Sequence, residues 1–255
     1  MKHKIKELAK KLDIAAKDAK VVEQLSTKQE ISLSDAYDIQ KESIDRRYAR
    51  GEKLTGIKLG FTSKAKMKQM GVHDLIWGRL TDTMEIENGG QMDLNNFIHP
   101  RVEPEIVFLV KEDVKEDINR ENAFEYIESV AAAIEVIDSR YKNFKFSLED
   151  VIADNCSSSG YVIGNWHSVN TDVSSLALAL SINDEEIESG NTSAILGDPL
   201  ESFIEACRIA KQYDLQLKKG MIILAGAATP AAFVKSGDAI VANFEVLGKV
   251  TFKVQ

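Results

Sequence analysis

Cysteine is scarce in this chain: Cys156 and Cys207 are the only two among 255 residues. They stand far apart and outside any CxxC or Cys/His cluster, which excludes a disulfide scaffold and a thiolate zinc site. Histidine is scarce as well, and His73, His99 and His167 share no ligand spacing. Positive charge is outnumbered. Thirty-two Lys and Arg face 40 Asp and Glu, a formal net charge of −8, so there is no basic footprint for nucleic acid and no attraction to an anionic membrane. Long apolar runs are missing too. The first residues carry charges throughout, unlike a secretory signal. The least polar stretch, 221–234, is interrupted by glycine and proline and falls short of the ~20 residues that a membrane-spanning helix needs. What remains, 44% hydrophobic and 28% charged residues, is ordinary globular composition. The expectation is a cytoplasmic protein large enough to fold without a disulfide or structural metal.

Two helices are predicted at the start. Ile5, Leu8, Leu12 and Ala15/Ala16 recur at three- and four-residue spacing over 2–20. A second helix begins at Ser32 or Ser34, with Asp35 in its first turn, and ends at Gly51. From Lys53 the pattern changes to short strand-like runs: 54–62, Val102 to Val110, Ala133 to Ile137, Tyr161 to Gly164, Ala177 to Ile182, Met221 to Leu224, Ala239 to Phe244 and Val246 to Val254. Helices are predicted over 63–70, over Glu121 to Ala133 and over Pro199 to Tyr213. The reading is an α+β protein: an N-terminal helical extension, 1–52, and one α+β unit, 53–255.

The strongest chemical signal is His99-Pro-Arg-Val-Glu-Pro-Glu-Ile-Val-Phe. On a strand, Glu103 and Glu105 project from one face, and the following apolar run carries that strand into the interior. Two like charges near a core are unfavourable unless a cation neutralises them, and hard divalent ions prefer carboxylate oxygens. A solvated strand face is the alternative. Glu135 lies inside the apolar run Ala131-Ala-Ala-Ile-Glu-Val-Ile, where an unpaired carboxylate is costly; its alternative is an ion pair, with Arg140 the nearest choice. Lys58, in Gly56-Ile-Lys-Leu-Gly, is a proton shuttle, an anion holder or an ordinary strand lysine.

Taken together, Gly56-Ile-Lys-Leu-Gly-Phe-Thr-Ser, the Glu-Pro-Glu segment, Glu135-Val-Ile-Asp-Ser-Arg and Ala153-Asp-Asn-Cys-Ser-Ser resemble the fumarylacetoacetate hydrolase superfamily from about residue 35 onward. Within it they resemble the hydratases and decarboxylases of aromatic meta-cleavage catabolism. The resemblance implies a mixed β-roll or barrel core and a Mg²⁺ (or Mn²⁺) ion held by Glu103, Glu105 and Glu135, with Lys58 as the catalytic lysine. It implies a 2-oxo acid substrate contacted by residues among Ser63, Ile76, Arg140, Ser158 and Thr229. Arg140 is equally suited to pair with Glu135 or Asp138. Asp154, Asn155 and Ser158 read as supports at the site's edge or as a turn, and Cys156 lacks a base that would make it a nucleophile. Where the family has a glycine-rich stretch, this chain reads Ala225-Gly-Ala-Ala-Thr-Pro.

Two segments choose the branch. Ser139-Arg-Tyr-Lys-Asn-Phe-Lys-Phe is similar to the decarboxylases, and Leu75-Ile-Trp stands where hydratases carry Pro-Asp-Phe. Ile76 cannot position water against an alkene, whereas an Ile76/Trp77 wall suits the dry surroundings of a departing carboxylate. The expected activity is metal-dependent decarboxylation of 2-oxohex-3-enedioate to 2-hydroxypenta-2,4-dienoate and CO₂. Hydration of 2-hydroxypentadienoate is the alternative, ahead of a non-catalytic partner subunit. The resemblance also implies a homo-oligomer and association with the pathway hydratase.

Overall fold

The computed structural model describes residues 2–63 and 74–255. The helix expected over 63–70 falls largely outside the described residues, as does His73. No helix among the described residues is long and apolar enough to cross a membrane.

Helices α1 (Lys2–Lys17) and α2 (Leu33–Ala49) form the N-terminal section. Ser32, not Ser34, caps α2 through a capping box. Its side chain accepts the Asp35 N–H, and the Asp35 carboxylate accepts the Ser32 N–H. The helices are pinned to each other by the buried Asp13, which takes Arg46 Nε at 2.8 Å and both Arg50 terminal nitrogens at 2.9 and 2.7 Å. Their apolar faces do not close on themselves alone. Ala9, Leu12, Ala36 and Ile39 share one core with Ile76, Val151, Ile152 and Cys156. Buried Gln40 reinforces the junction by donating to the carbonyls of Trp77 and Ile152, each at 3.0 Å.

The remainder is a mixed α+β roll built on two sheets, as expected. Among the described residues the larger sheet runs β2 (Ile76–Thr81), β1 (Leu54–Gly60), β11 (Ile222–Ala227), β5 (Arg101–Val110), β6 (Ile127–Ile137), β7 (Ser158–Ile163), β3 (Glu85–Ile86). Two short strands attach to it, β12 (Ala232–Phe233) on β5 and β8 (His167–Ser168) on β6. The smaller sheet runs β10 (Glu185–Asn191), β9 (Ala177–Ile182), β13 (Ala239–Phe244), β14 (Gly248–Val254), β4 (Gln91–Met92). The helix Pro199–Gln212 starts on a proline in its first turn, with Asp198 as cap, and sets Phe203 edge-on to Phe108 of β5.

One expectation fails. The helix predicted over Glu121 to Ala133 is a single turn, Ala123–Tyr126, after which β6 runs as strand from Ile127. The alanine-rich run has good helix propensity, but it is laddered on both edges, to β5 and to β7, and propensity is a weak prior against such pairing.

The helix Leu148–Ala153 leads into three consecutive left-handed residues: Asn155, Cys156 and Ser157 at φ 51°, 52° and 59°. Each costs about 1–2 kcal/mol in this conformation, so the turn must be held from outside. Asn155 does this with its side chain, accepting the Arg79 N–H and donating to the Arg79 carbonyl, both at 2.8 Å. This brings the Asn155 carbonyl to 2.6 Å from where a Cβ on Gly78 would lie. Gly78→Ala should therefore cost about 1–3 kcal/mol, seen as a lower denaturant midpoint at unchanged slope; a neutral substitution would contradict this close approach.

Candidate active site

Strand geometry assembles three carboxylates. Glu103 and Glu105 share a face of β5, and the antiparallel register sets Glu103 directly opposite Glu135 of β6. One oxygen from each of Glu103, Glu105 and Glu135 lies within 4.8 Å of the others. Glu105 and Glu135 are fully buried, while Glu103 reaches the cavity above.

Lys58 arrives from β1, two strands from β5, and donates from Nζ to Glu135 Oε2 at 2.7 Å. The Ser158 hydroxyl donates to Glu135 Oε1 at 3.2 Å, so both oxygens of that carboxylate are engaged. Glu105 Oε2 accepts the Gly226 N–H at 2.8 Å. That contact requires glycine: at φ +107°, a Cβ on Gly226 would lie 2.1 Å from the Thr62 hydroxyl. The other oxygen, Glu105 Oε1, is buried without a hydrogen-bond partner.

The electrostatics follow from the packing. Burial, and then the charge of Glu135, push the Glu105 carboxyl well above the usual range. Burial alone would lower the Lys58 ammonium; Glu135, Glu105 and Glu103 outweigh it and hold it above its ordinary value. Lys58 is thus a fixed cation. Lys58 is the one ammonium inside the trio, with the Arg101 guanidinium further out on the Glu103 side, so the carboxylates still outnumber the cations around them. This balance, together with the orphaned Glu105 oxygen, fits an all-oxygen site for a hard divalent ion.

A cavity of about 480 Å³ opens over this cluster. Lys58 and Glu103 lie at its polar end, Ser63 and Thr229 line it, and Ile76, Phe144, Phe146 and Val151 form an apolar wall. Ser158 does not line it and acts on the site through Glu135. Arg140, expected at the substrate or on Glu135 or Asp138, does neither. Its Nε pairs with Asp154, another nitrogen donates to the Asp154 carbonyl and a third to the Ser159 hydroxyl, and it lies outside the cavity lining. Asp154 caps the C-terminus of the helix Leu148–Ala153, just before the left-handed turn; burial pushes its carboxyl up to about 6 despite this pairing. Of the expected Ile76/Trp77 wall, Ile76 lines the cavity and Trp77 does not: adjacent strand residues face opposite ways, and Trp77 stacks on Tyr37. Cys156 lines the cavity, but burial pushes its thiol up to about 12, consistent with no nucleophilic role. Arg101, Phe144 and Phe146 were not singled out from the sequence as site residues. Arg101 stands two before Glu103 and shares its face, a spacing that could have found it.

Residues 81–255 match the fumarylacetoacetate (FAA) hydrolase C-terminal family. The chain belongs to this family. Among family members it is 46% identical to 4-oxalocrotonate decarboxylase from a Pseudomonas species, over 98% of this chain and 97% of the relative. It is 34% identical to 2-hydroxyhexa-2,4-dienoate hydratase from Comamonas testosteroni, over 82% of this chain and 81% of the hydratase. The fold superposes on 4-oxalocrotonate decarboxylase from Pseudomonas putida G7, complexed with magnesium and adipate, with a TM-score of 0.96 at 33% identity, covering 100% of this chain and 98% of that one. The same enzyme is also known complexed with calcium and acetate, so this relative is seen with either of two divalent cations.

Glu105→Gln keeps the shape of the side chain while removing a buried charge. The apo-protein's melting temperature should hold or rise. Divalent-cation affinity should fall more than about tenfold, the loss typical even for an outer-shell partner. Calorimetric titration with Mg²⁺ measures this, and unchanged affinity would contradict a ligand role for Glu105.

Proposed function

We propose that this chain decarboxylates 2-oxohex-3-enedioate (4-oxalocrotonate) to 2-hydroxypenta-2,4-dienoate and CO₂, with Mg²⁺ as its cation. The observation that carries the choice of reaction is the cavity lining. Among the described residues, its only carboxylate is Glu103 of the acidic trio, and the wall around the remaining space is mostly apolar, Ile76, Phe144, Phe146 and Val151, with the Arg101 guanidinium its one charged group there. Adding water to an alkene calls for a further acid or base that holds the water. Losing CO₂ calls for an electron sink and an apolar region, which is what this lining supplies. Mg²⁺ is favoured by a donor set made of carboxylate oxygens alone.

Glu103, Glu105 and Glu135 would hold the ion, which when bound supplies a Lewis acid for the 2-oxo acid end of the substrate. The protein's own groups do the rest. As the bond to the distal carboxylate breaks, its electron pair moves through the alkene to the 2-oxo oxygen. Lys58, kept charged by Glu135, is placed to stabilise the dienolate oxygen, and the proton that yields the 2-hydroxy product is drawn from solvent once CO₂ has left. Ser63 and Thr229 offer hydroxyls along the polar side of the cavity for the substrate's 1-carboxylate. Ile76 and the two phenylalanines exclude water from the departing group, so the developing charge is neither quenched nor hydrated early.

The test is a paired assay on Mg²⁺-reconstituted protein, one arm following CO₂ release from 2-oxohex-3-enedioate and the other consumption of 2-hydroxypenta-2,4-dienoate. CO₂ release without dienoate consumption is expected. Dienoate consumption without CO₂ release would assign a hydratase and overturn the proposal.

A further inference from the structure

The cavity holds a second cation that the proposed chemistry leaves unused. Arg101 opens β5, two residues before Glu103, and lines the same cavity. Strand rise puts these two positions ~6.6 Å apart along one face, comparable with the reach of an extended six-carbon chain. The Arg101 guanidinium lies between two aromatic rings, its central carbon 4.2 Å from the Phe144 centroid and 4.0 Å from that of Phe233. Two aromatic rings thus pack on the guanidinium without engaging its N–H groups in a hydrogen bond. Among the described residues it has no hydrogen bond or ion pair, and its Nε is buried without a partner. Lys58, by contrast, is committed to Glu135.

The sandwich is built at a cost. Asn143 and Phe144 both adopt left-handed backbone, φ 60° and 55°, which is unfavourable for a residue as bulky as phenylalanine. That turn delivers the Phe144 ring to Arg101. Phe233 is 60% exposed and registers opposite Arg101 across the β12–β5 pair. An arginine stacked on its faces keeps a planar fork of donors, the shape that takes a carboxylate with two parallel hydrogen bonds.

We propose that Arg101 is the specificity residue for the far carboxylate of a dicarboxylic 2-oxo acid, separating such substrates from 2-oxo acids with an uncharged tail. This rests on the decarboxylase reading, in which that far carboxylate is the leaving group. That carboxylate keeps most of its charge until the bond breaks, so Arg101 holds ground and transition states about equally and acts through KM, not kcat.

The experiment compares wild-type protein, Arg101→Met and Arg101→Lys, all Mg²⁺-loaded. Calorimetry measures the binding of adipate, a six-carbon dicarboxylate, and of 2-oxopentanoate, which lacks the far carboxylate; turnover of 2-oxohex-3-enedioate is read in parallel. Arg101→Met should weaken adipate about 10- to 100-fold, the range of a charge-assisted hydrogen bond, and leave 2-oxopentanoate within about twofold. The loss of turnover should be carried by KM, and Arg101→Lys should recover part of it by restoring the charge. Unchanged adipate affinity, or equal weakening of both ligands, would overturn the proposal. The two readings fail separately. Wild-type protein that releases no CO₂ removes the decarboxylase assignment, while the adipate and 2-oxopentanoate contrast still decides the role of Arg101.

Discussion

The ion pair between Lys58 and Glu135 sits inside a cluster that would not otherwise be tolerated. Three carboxylates converge where two of them are fully buried, and one ammonium shares the space. Removing charges from water is expensive, and mutual attraction offsets that cost only when geometry is good and the remaining oxygens are satisfied. Here Lys58 and Ser158 satisfy Glu135, Gly226 satisfies one oxygen of Glu105, and the other has no hydrogen-bond partner. The surplus of negative charge is the property that suits the cluster to the cation proposed for it.

Much of the surrounding fold keeps this cluster in register. β1, β11, β5, β6 and β7 lie side by side, so lysine, carboxylates and serine are fixed by ladder hydrogen bonds instead of loops. The irregular parts serve it from the rim. The left-handed turn at 155–157, braced by Asn155 on the Arg79 backbone, precedes Ser158 and presents Cys156 to the cavity. The second left-handed turn, at 143–144, delivers an aromatic ring to the same cavity. The N-terminal helices support the wall from behind, since Ile76, Val151 and Cys156 belong to their core.

How much of this was legible beforehand depends on the range of the interaction. Period-two alternation places Glu103 and Glu105 on one face, and an acidic residue in the run around Glu135 signals a buried charge with a purpose; both are local facts. Their meeting is not local. It depends on the β5–β6 register that sets Glu103 against Glu135, which the family resemblance anticipated and spacing alone could not. Arg140 shows the opposite outcome. Sequence proximity suggested Glu135 or Asp138, but Asp154, the C-cap of the helix Leu148–Ala153, takes it instead. The strand at Ile127 was hidden by alanines whose local preference is helical and whose neighbours on both sides are strands. Trp77 could have been placed correctly, because a residue adjacent to Ile76 on a strand must face the other way.

The central claim is that Glu103, Glu105 and Glu135 together form a divalent-cation site with Lys58 beside it, and not a lysine-filled salt-bridge cluster. Anomalous scattering from crystals equilibrated with Mn²⁺ tests it most directly. The account predicts one strong peak among the three carboxylates, about 2.1 Å from an oxygen of each as octahedral hard-ion geometry requires, with Lys58 still on Glu135. A peak elsewhere, or none while Lys58 occupies the centre of the trio, would contradict it.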